Sequence, residues 1–435
     1  MESSLHESTQ QMVRPGRAVD TYYPDPDTAQ KQAFRVSQNT RYVVDLASTS
    51  GGSSTITLPP NNGVQDLILM LSLPAFTSPV KVGLPRGWGY NAIRQISFRY
   101  GGSSQFFLTK QQIAQLALRK SPNGSARDDM LALGGSYCAP ADLANAQSAY
   151  VWLPLPHCIP SAEGKLPPIP TDLLTQQIQI TIELESPSAL YFYGTSWSGT
   201  APTAYSKASV AVQQIIFENQ GDCLARREDM SVHALSFPVE FTQQEVAIPL
   251  TNVAASSAQT VTLTGFRAGE CKNIQVWITA DTDTSLVVPA TGTIQTRNPF
   301  AWYAPENIVM TYAGEVYARY DGGSSSLWNL VNGRLSPQAN DVYVTDTVIT
   351  GGGAPTASAD KWAELPFGQS YDPLTAHSMY MAGKPITNGI VNLAFTMPAL
   401  GKTGSALTTG NYTLHISYNY NAVLMFTGGT AEYVL

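Results

Sequence analysis

The feature that most constrains this chain is that its second half repeats the order of landmarks in its first. Trp88 opens WGYNAIRQISFRYGG and Trp302 opens WYAPENIVMTYAGEVYARYDGG, and each segment ends at a Gly-Gly pair followed by serines, Ser103-Ser104 and Ser324-Ser325. Before them, a TITL segment ending at Leu58 precedes VQDLILMLSLPA, as a TVTL segment ending at Leu263 precedes NIQVWITA. After them, Trp152-Leu153-Pro154 is matched by Trp362 with Leu365-Pro366. The alternating run Ile178, Ile180, Ile182, Leu184 is matched by Val391, Leu393, Phe395, Met397, each closed by a proline, Pro187 and Pro398. The spacings are 214 residues from Trp88 to Trp302, 221 from Gly101 to Gly322, 210 from Trp152 to Trp362 and 213 from Ile178 to Val391. A nearly constant gap close to half of the 435 residues indicates a tandem duplication, and each copy must complete its own core.

Each copy holds about eight period-two strand candidates separated by Gly, Pro and Asn turns. Closing strands lie at Val210 to Phe217 and at Tyr412 to Tyr420. With only 13% charged residues but 34 Gly, 29 Pro and 21 Tyr, the chain is neither a coiled coil nor a long-helix protein. An immunoglobulin-type sandwich needs only about 100 residues. Eight antiparallel strands with long loops fit a jelly roll better, so the expected fold is all-β, two tandem eight-stranded antiparallel jelly-roll barrels. Short helices are expected in loops: Ile113, Leu116 and Ala117 fall at helical spacing within Thr109 to Lys120, a second candidate runs from Arg127 to Leu133, and SLWNLVNGRL occupies the corresponding place in the second half. The charged stretch GDCLARREDM, around Gly221 to Met230, marks the boundary. The expected organisation is an N-terminal arm over 1–36, a first jelly roll over 37–225 and a second over 226–435.

Charge and cysteine content narrow the function. A net charge of −7 from 25 basic and 32 acidic residues supplies no basic field for a phosphate backbone, which disfavours direct nucleic-acid binding. Cys138, Cys158, Cys223 and Cys271 show no CxxC spacing and read as free, mostly buried thiols. The N-terminus has no apolar core segment of a secretory signal, which implies synthesis in a reducing cytoplasm. The longest apolar run, Leu67 to Phe76, is ten residues broken by Ser72 and Pro74, against the roughly 20 that span a bilayer.

No catalytic constellation emerges. His6, His157, His233, His377 and His415 are far apart in sequence, without HxH or HExxH spacing, so neither a metal site nor the His/Glu metal set of a cupin is expected. His157 and Cys158 are adjacent on a candidate strand and point to opposite faces, which prevents a nucleophile–base pair. Glu183 and Glu185 share one face of a strand; a glycosidase would place such carboxylates across a cleft, whereas a solvated face is the simpler account. The Gly-Gly-Ser-Ser segments at Gly101 and Gly322 lack the Lys-Ser/Thr of a phosphate loop and read as hairpin turns. Asn123-Gly-Ser and Asn411-Tyr-Thr match the glycosylation sequon but no secretory route accompanies them. Tyr191, Phe192, Tyr193 and Trp197 read as core or interface rather than as a sugar platform. The expectation is therefore no catalytic residue, no cofactor and no metal.

The segments GWGYNAIRQISFRYGGSSQFFLT (Gly87 to Thr109) and WLPLPHC (Trp152 to Cys158), set in two tandem barrels from about residue 37 to Leu435, resemble the double jelly-roll major capsid proteins of icosahedral DNA viruses, of the type found in large eukaryotic DNA viruses, virophages and polinton-like viruses. The resemblance implies a virion structural protein and not an enzyme. It further implies homotrimers whose six barrels form a pseudo-hexagonal capsomer, and contacts with neighbouring capsomers and with minor capsid and penton proteins, an internal membrane being a further candidate contact. The rival from another class is a tandem jelly-roll carbohydrate-binding protein or glycoside hydrolase. Within this reading the arm is the candidate linker. Arg14 and Arg17 flank Pro15-Gly16, and Tyr22 and Tyr23 precede Pro24, a mixture of cationic donors, aromatic anchors and extended-favouring prolines that gains order only on docking.

Overall fold

The computed structural model describes residues 36–58, 63–76, 82–100, 105–120, 124–155, 171–193, 200–217, 235–280, 302–320, 339–343, 356–360, 362–367, 384–386, 390–399 and 407–435. The first half contributes eight main strands: β1 (Val36–Asp45), β2 (Gly52–Thr57), β3 (Gly63–Leu73), β4 (Ile93–Arg99), β5 (Gln105–Thr109), β6 (Gln147–Leu153), β7 (Gln179–Leu184) and β8 (Lys207–Phe217). They form two antiparallel four-stranded sheets, ordered β1-β8-β3-β6 and β2-β7-β4-β5. Between β5 and β6 run two helices, α1 (Lys110–Lys120) and α2 (Gly124–Leu133), where helical spacing predicts them.

The second half contributes β9 (Leu235–Thr242), β10 (Val246–Val253), β11 (Ala258–Leu263), β12 (Glu270–Ala280), β13 (Glu306–Tyr312), β14 (Glu315–Tyr320), β15 (Ala363–Pro366), β16 (Val391–Thr396), β17 (Gly410–Thr427) and β18 (Thr430–Val434). One sheet runs β11-β16-β13-β14. The other has β9 and β10 on one side of β17, with β12 and β18 on its far side and β15 on β12. Strand for strand, β17-β12-β15 with β9 and β10 together at its edge repeats β8-β3-β6 with β1, and β11-β16-β13-β14 repeats β2-β7-β4-β5. This interleaved order, in which the last strand of each unit sits beside the first, is a jelly roll.

The period-two runs do what they predict. Ile180, Ile182 and Leu184 on β7, and Val391, Leu393 and Phe395 on β16, point inward and are buried, while the intervening residues stay partly open. Full burial of each such side chain contributes roughly 1.5–3 kcal/mol. One element of the repeat is displaced. Gly101-Gly102 falls between β4 and β5, whereas Gly322-Gly323 follows β14, and both pairs lie outside the described residues. The hairpin that corresponds to the β4–β5 turn is made by Ala313-Gly314, at φ 52° and 89°. Positive φ at both central positions gives the strands the twist they need, and glycine adopts it without strain. Gly101 and Ala313 are 212 residues apart, in line with the other spacings; the 221-residue gap pairs two Gly-Gly segments at different places in the strand order.

Candidate assembly surface

The arm residues Arg14, Arg17, Tyr22 and Tyr23 lie outside the described residues, as do His6, Asn123, His157, Cys158, Trp197, Cys223, His233 and His377. Of the remaining candidates, Tyr191, Phe192 and Tyr193 are buried in the first barrel, with Tyr191 edge-on to Phe76 at 5.6 Å. Burial pushes the Tyr191 phenol up. Glu183 and Glu185 do share the outer side of β7 and its extension; Glu183 lies between Ser53 and Gln95 in the sheet. Cys138 and Cys271 are free and buried, and burial raises both thiols, Cys138 to about 12. Asn411 accepts a hydrogen bond from the Asn252 amide, 3.0 Å. Among the described residues no group of three His, Cys, Asp or Glu side chains could hold a metal ion, and no helix is long and apolar enough to cross a membrane.

What the structure brings together is a seam. Every residue of β12 from Cys271 to Ala280 is buried, on both faces of the sheet. Ile274, Val276 and Ile278 face the barrel core; Asn273, Gln275, Trp277 and Thr279 face outward and are covered by the first barrel. The cover is α1. Gln112 donates from Nε2 to Ser417 Oγ at 2.9 Å and to the Gln243 carbonyl at 2.6 Å, and Trp302 Nε1 donates to Gln111 Oε1.

Beneath α1 the outward face of β12 and β17 carries an aromatic and polar layer. Trp277 stacks on His415, centroids 5.5 Å apart and planes 5° apart, and Trp302 packs against both Trp277 and Trp362. His415 Nε2 is 2.8 Å from Thr279 Oγ1, and its Nδ1 is 3.5 Å from Glu245 Oε1. Further along, Asn419 Nδ2 donates to Asn273 Oδ1 at 2.6 Å, and Thr242 Oγ1 donates to Asn419 Oδ1 at 2.8 Å. Lys272 Nζ meets Glu240 Oε2 at 2.6 Å with neither side chain exposed. Such a buried pair holds only while both partners are present. The C-terminal hairpin adds a clasp: Thr175 N donates to the Gly429 carbonyl at 2.8 Å, and Tyr100 meets Tyr433 edge-on at 6.1 Å. A Cβ on Gly429 would sit 2.5 Å from Thr175 Cγ2.

Sequence reasoning misses this seam because alternating polar residues on a strand read as a solvated face. The available signal is that Trp277 and His415 occupy polar-face positions, where water-facing strands seldom place a tryptophan.

No protein-family model matches the chain, and no curated protein sequence matches it. Solved structures do. The PBCV-1 VP54 structure fitted into a reconstruction of the virophage Sputnik aligns with a TM-score of 0.60 at 12% identity, covering 92% of this chain and 97% of that one. The mavirus major capsid protein aligns at 0.52 and 12% identity, over 91% and 90%. The Faustovirus major capsid protein aligns at 0.51 and 8% identity, over 93% and 94%. The fold is a double jelly roll. At these identities the likeness is one of architecture, and it extends through both barrels of the chain rather than stopping at one.

Proposed function

We propose that this double jelly-roll chain is a structural subunit of an icosahedral viral shell, a major capsid protein that assembles as homotrimeric, pseudo-hexameric capsomers and whose place is the virion. The observation that carries the reading is the seam: two complete barrels fixed side by side by buried hydrogen bonds, in a fold whose solved examples include major capsid proteins. A capsomer needs a subunit that holds two barrels at a fixed angle. A carbohydrate-active protein needs an open cleft with placed polar groups. The role is structural and not catalytic, in a chain made in the host cytoplasm, with units over 37–225 and 226–435. Partners are further copies of itself, minor capsid and penton proteins and, for the arm over 1–36, a neighbouring capsomer, a minor protein or a lipid headgroup layer.

The experiment is light scattering on the purified chain followed by electron microscopy. A particle of three times 46.8 kDa with a hexagonal outline is expected. A monomer that binds sugar would reverse the reading. Deleting residues 1–30 is expected to leave the particle intact and lower the yield of shells.

A further inference from the structure

We propose that His415 and Glu245, on the outer face of the second barrel, form a binding site for one divalent transition-metal cation of the zinc class. The site goes beyond the capsid-subunit reading and does not depend on it.

Strand register brings the two ligands together. His415 on β17 stands opposite Trp277 of β12 on one side and opposite Ala247 of β10 on the other. Glu245 immediately precedes β10 and lies two positions before Ala247, which makes it the diagonal neighbour of His415 on the same face. The two residues are 170 positions apart in the chain, so no motif spacing announces them.

The geometry between them fits an ion better than a hydrogen bond. His415 Nδ1 and Glu245 Oε1 are 3.5 Å apart, beyond the roughly 2.7–3.2 Å of an N–H···O bond. Neither His415 Nδ1 nor Glu245 Oε2 has a hydrogen-bond partner among the described residues. Two ligands each about 2.1 Å from one ion, at a tetrahedral angle, stand roughly 3.4 Å apart. The imidazole is already oriented for this role. Its Nε2, 2.8 Å from Thr279 Oγ1, donates its proton to that hydroxyl and leaves the Nδ1 lone pair turned toward Glu245, the outer contact that a ligating histidine uses. Stacking on Trp277, with the planes 5° apart, fixes the ring. His415 is 9% exposed and the Glu245 side chain 12%, and the small, exposed Ala247 beside them leaves an ion a path to the pair. One imidazole with one carboxylate favours zinc and its neighbours over magnesium and calcium, which are held by oxygen alone. Two protein ligands are supplied, and water completes the coordination.

The position gives the ion a consequence. Gln112 of α1 holds the second barrel at Ser417 Oγ and at the Gln243 carbonyl. Ser417 is two residues from His415, and Gln243 is two residues from Glu245. An ion that ties β17 to the start of β10 holds both anchors of α1 in place, so its binding stabilises the seam.

The test is calorimetric titration and thermal melting of the full-length chain with zinc chloride, with magnesium chloride as the control. Wild type is expected to bind one zinc ion per chain at this site and to melt higher as zinc is added, while magnesium leaves the melt unchanged. Glu245→Gln and His415→Gln are each expected to weaken that binding at least tenfold. Thr279→Val, which removes the hydroxyl behind the imidazole, is expected to weaken it about tenfold. If His415→Gln lowers the melt without metal, Glu245→Gln decides, since it keeps nearly the same shape at the more exposed ligand. Coupling is reciprocal, so Gln112→Leu is expected to weaken zinc binding as well; an unchanged affinity there overturns the link to α1. A wild type with no zinc-dependent heat or melting shift overturns the site, as does zinc binding that is equally tight in Glu245→Gln.

Discussion

The two halves of this chain carry the same sheet twice and treat its outer face in opposite ways. On the second barrel the face made by β12 and β17 is buried, closed by α1 and crossed by a buried ion pair and an amide ladder. On the first barrel the equivalent face presents Val43 and Tyr150 to solvent. The corresponding tryptophans show the gradient: Trp362 is 1% exposed and Trp152 8%. A duplicated unit therefore buries one copy of this face within the chain and leaves the other half open. A difference in cover rather than in strand order separates the closed face from the open one.

The largest expected effect comes from breaking the sealed face at its most costly point. Lys272→Met removes the cation 2.6 Å from the buried Glu240 carboxylate, and the loss is about 3–5 kcal/mol. Adding Glu240→Leu removes the buried carboxylate as well and is expected to restore part of the stability. Urea midpoints of the two single variants and the double variant check this; equal losses in Lys272→Met and in the double variant would show that the pair is not electrostatically closed.

Alkaline pH acts on both halves. Cys138, beside the open sheet, has its thiol raised by burial from 9.0 to about 12, and burial raises Cys271 on β12 in the same direction. The folded state holds protons that unfolded thiols release, so this contribution is complete below pH 9 and is lost as pH rises toward 12. Urea midpoints are expected to fall across that window, less steeply in Cys138→Ala. Neither thiol should react with a disulfide reagent in the native state at pH 8; rapid labelling of Cys271 would mean that the seam opens.

Much of the fold is legible in the amino-acid order alone. Ile180, Ile182 and Leu184 mark their strand and its inward face by alternation, and Ile113, Leu116 and Ala117 mark α1 by helical spacing, because each pattern reports directly which side chains leave water. The seam is less legible for the same reason. Asn273, Gln275 and Thr279 leave water into a polar layer built by residues more than 100 positions away, Gln112 and Asn419 among them, and period-two polarity does not distinguish water from a buried amide. The Gly-Gly-Ser-Ser pairing fails because a hairpin needs two residues of positive φ at its own turn, and Ala313-Gly314 meets that need without repeating the serine-bearing motif.

A smaller effect is expected from Gln112→Leu. It removes both donations to the second barrel and leaves the Gln243 carbonyl and the Ser417 hydroxyl without them, a loss of about 1–3 kcal/mol. The thermal melt is expected to remain single if the barrels unfold together. Two separated transitions would show that the barrels are stable independently and that α1 only sets their angle.

The smallest effect, and the sharpest comparison, is a matched pair of tryptophan substitutions. Trp302→Phe deletes the hydrogen bond to the buried Gln111 Oε1 on the sealed face, while Trp152→Phe deletes the 2.9 Å hydrogen bond to Asp66 Oδ1 on the open face. Asp66 is only half-buried, so in the isolated chain water takes over as donor and the cost stays below about 1 kcal/mol, whereas an acceptor stranded in the seam costs about 1–3 kcal/mol. Chemical denaturation of both variants is expected to show the larger loss for Trp302→Phe. Equal losses would show that water reaches Gln111 in the seam as readily as it reaches Asp66 on the open sheet.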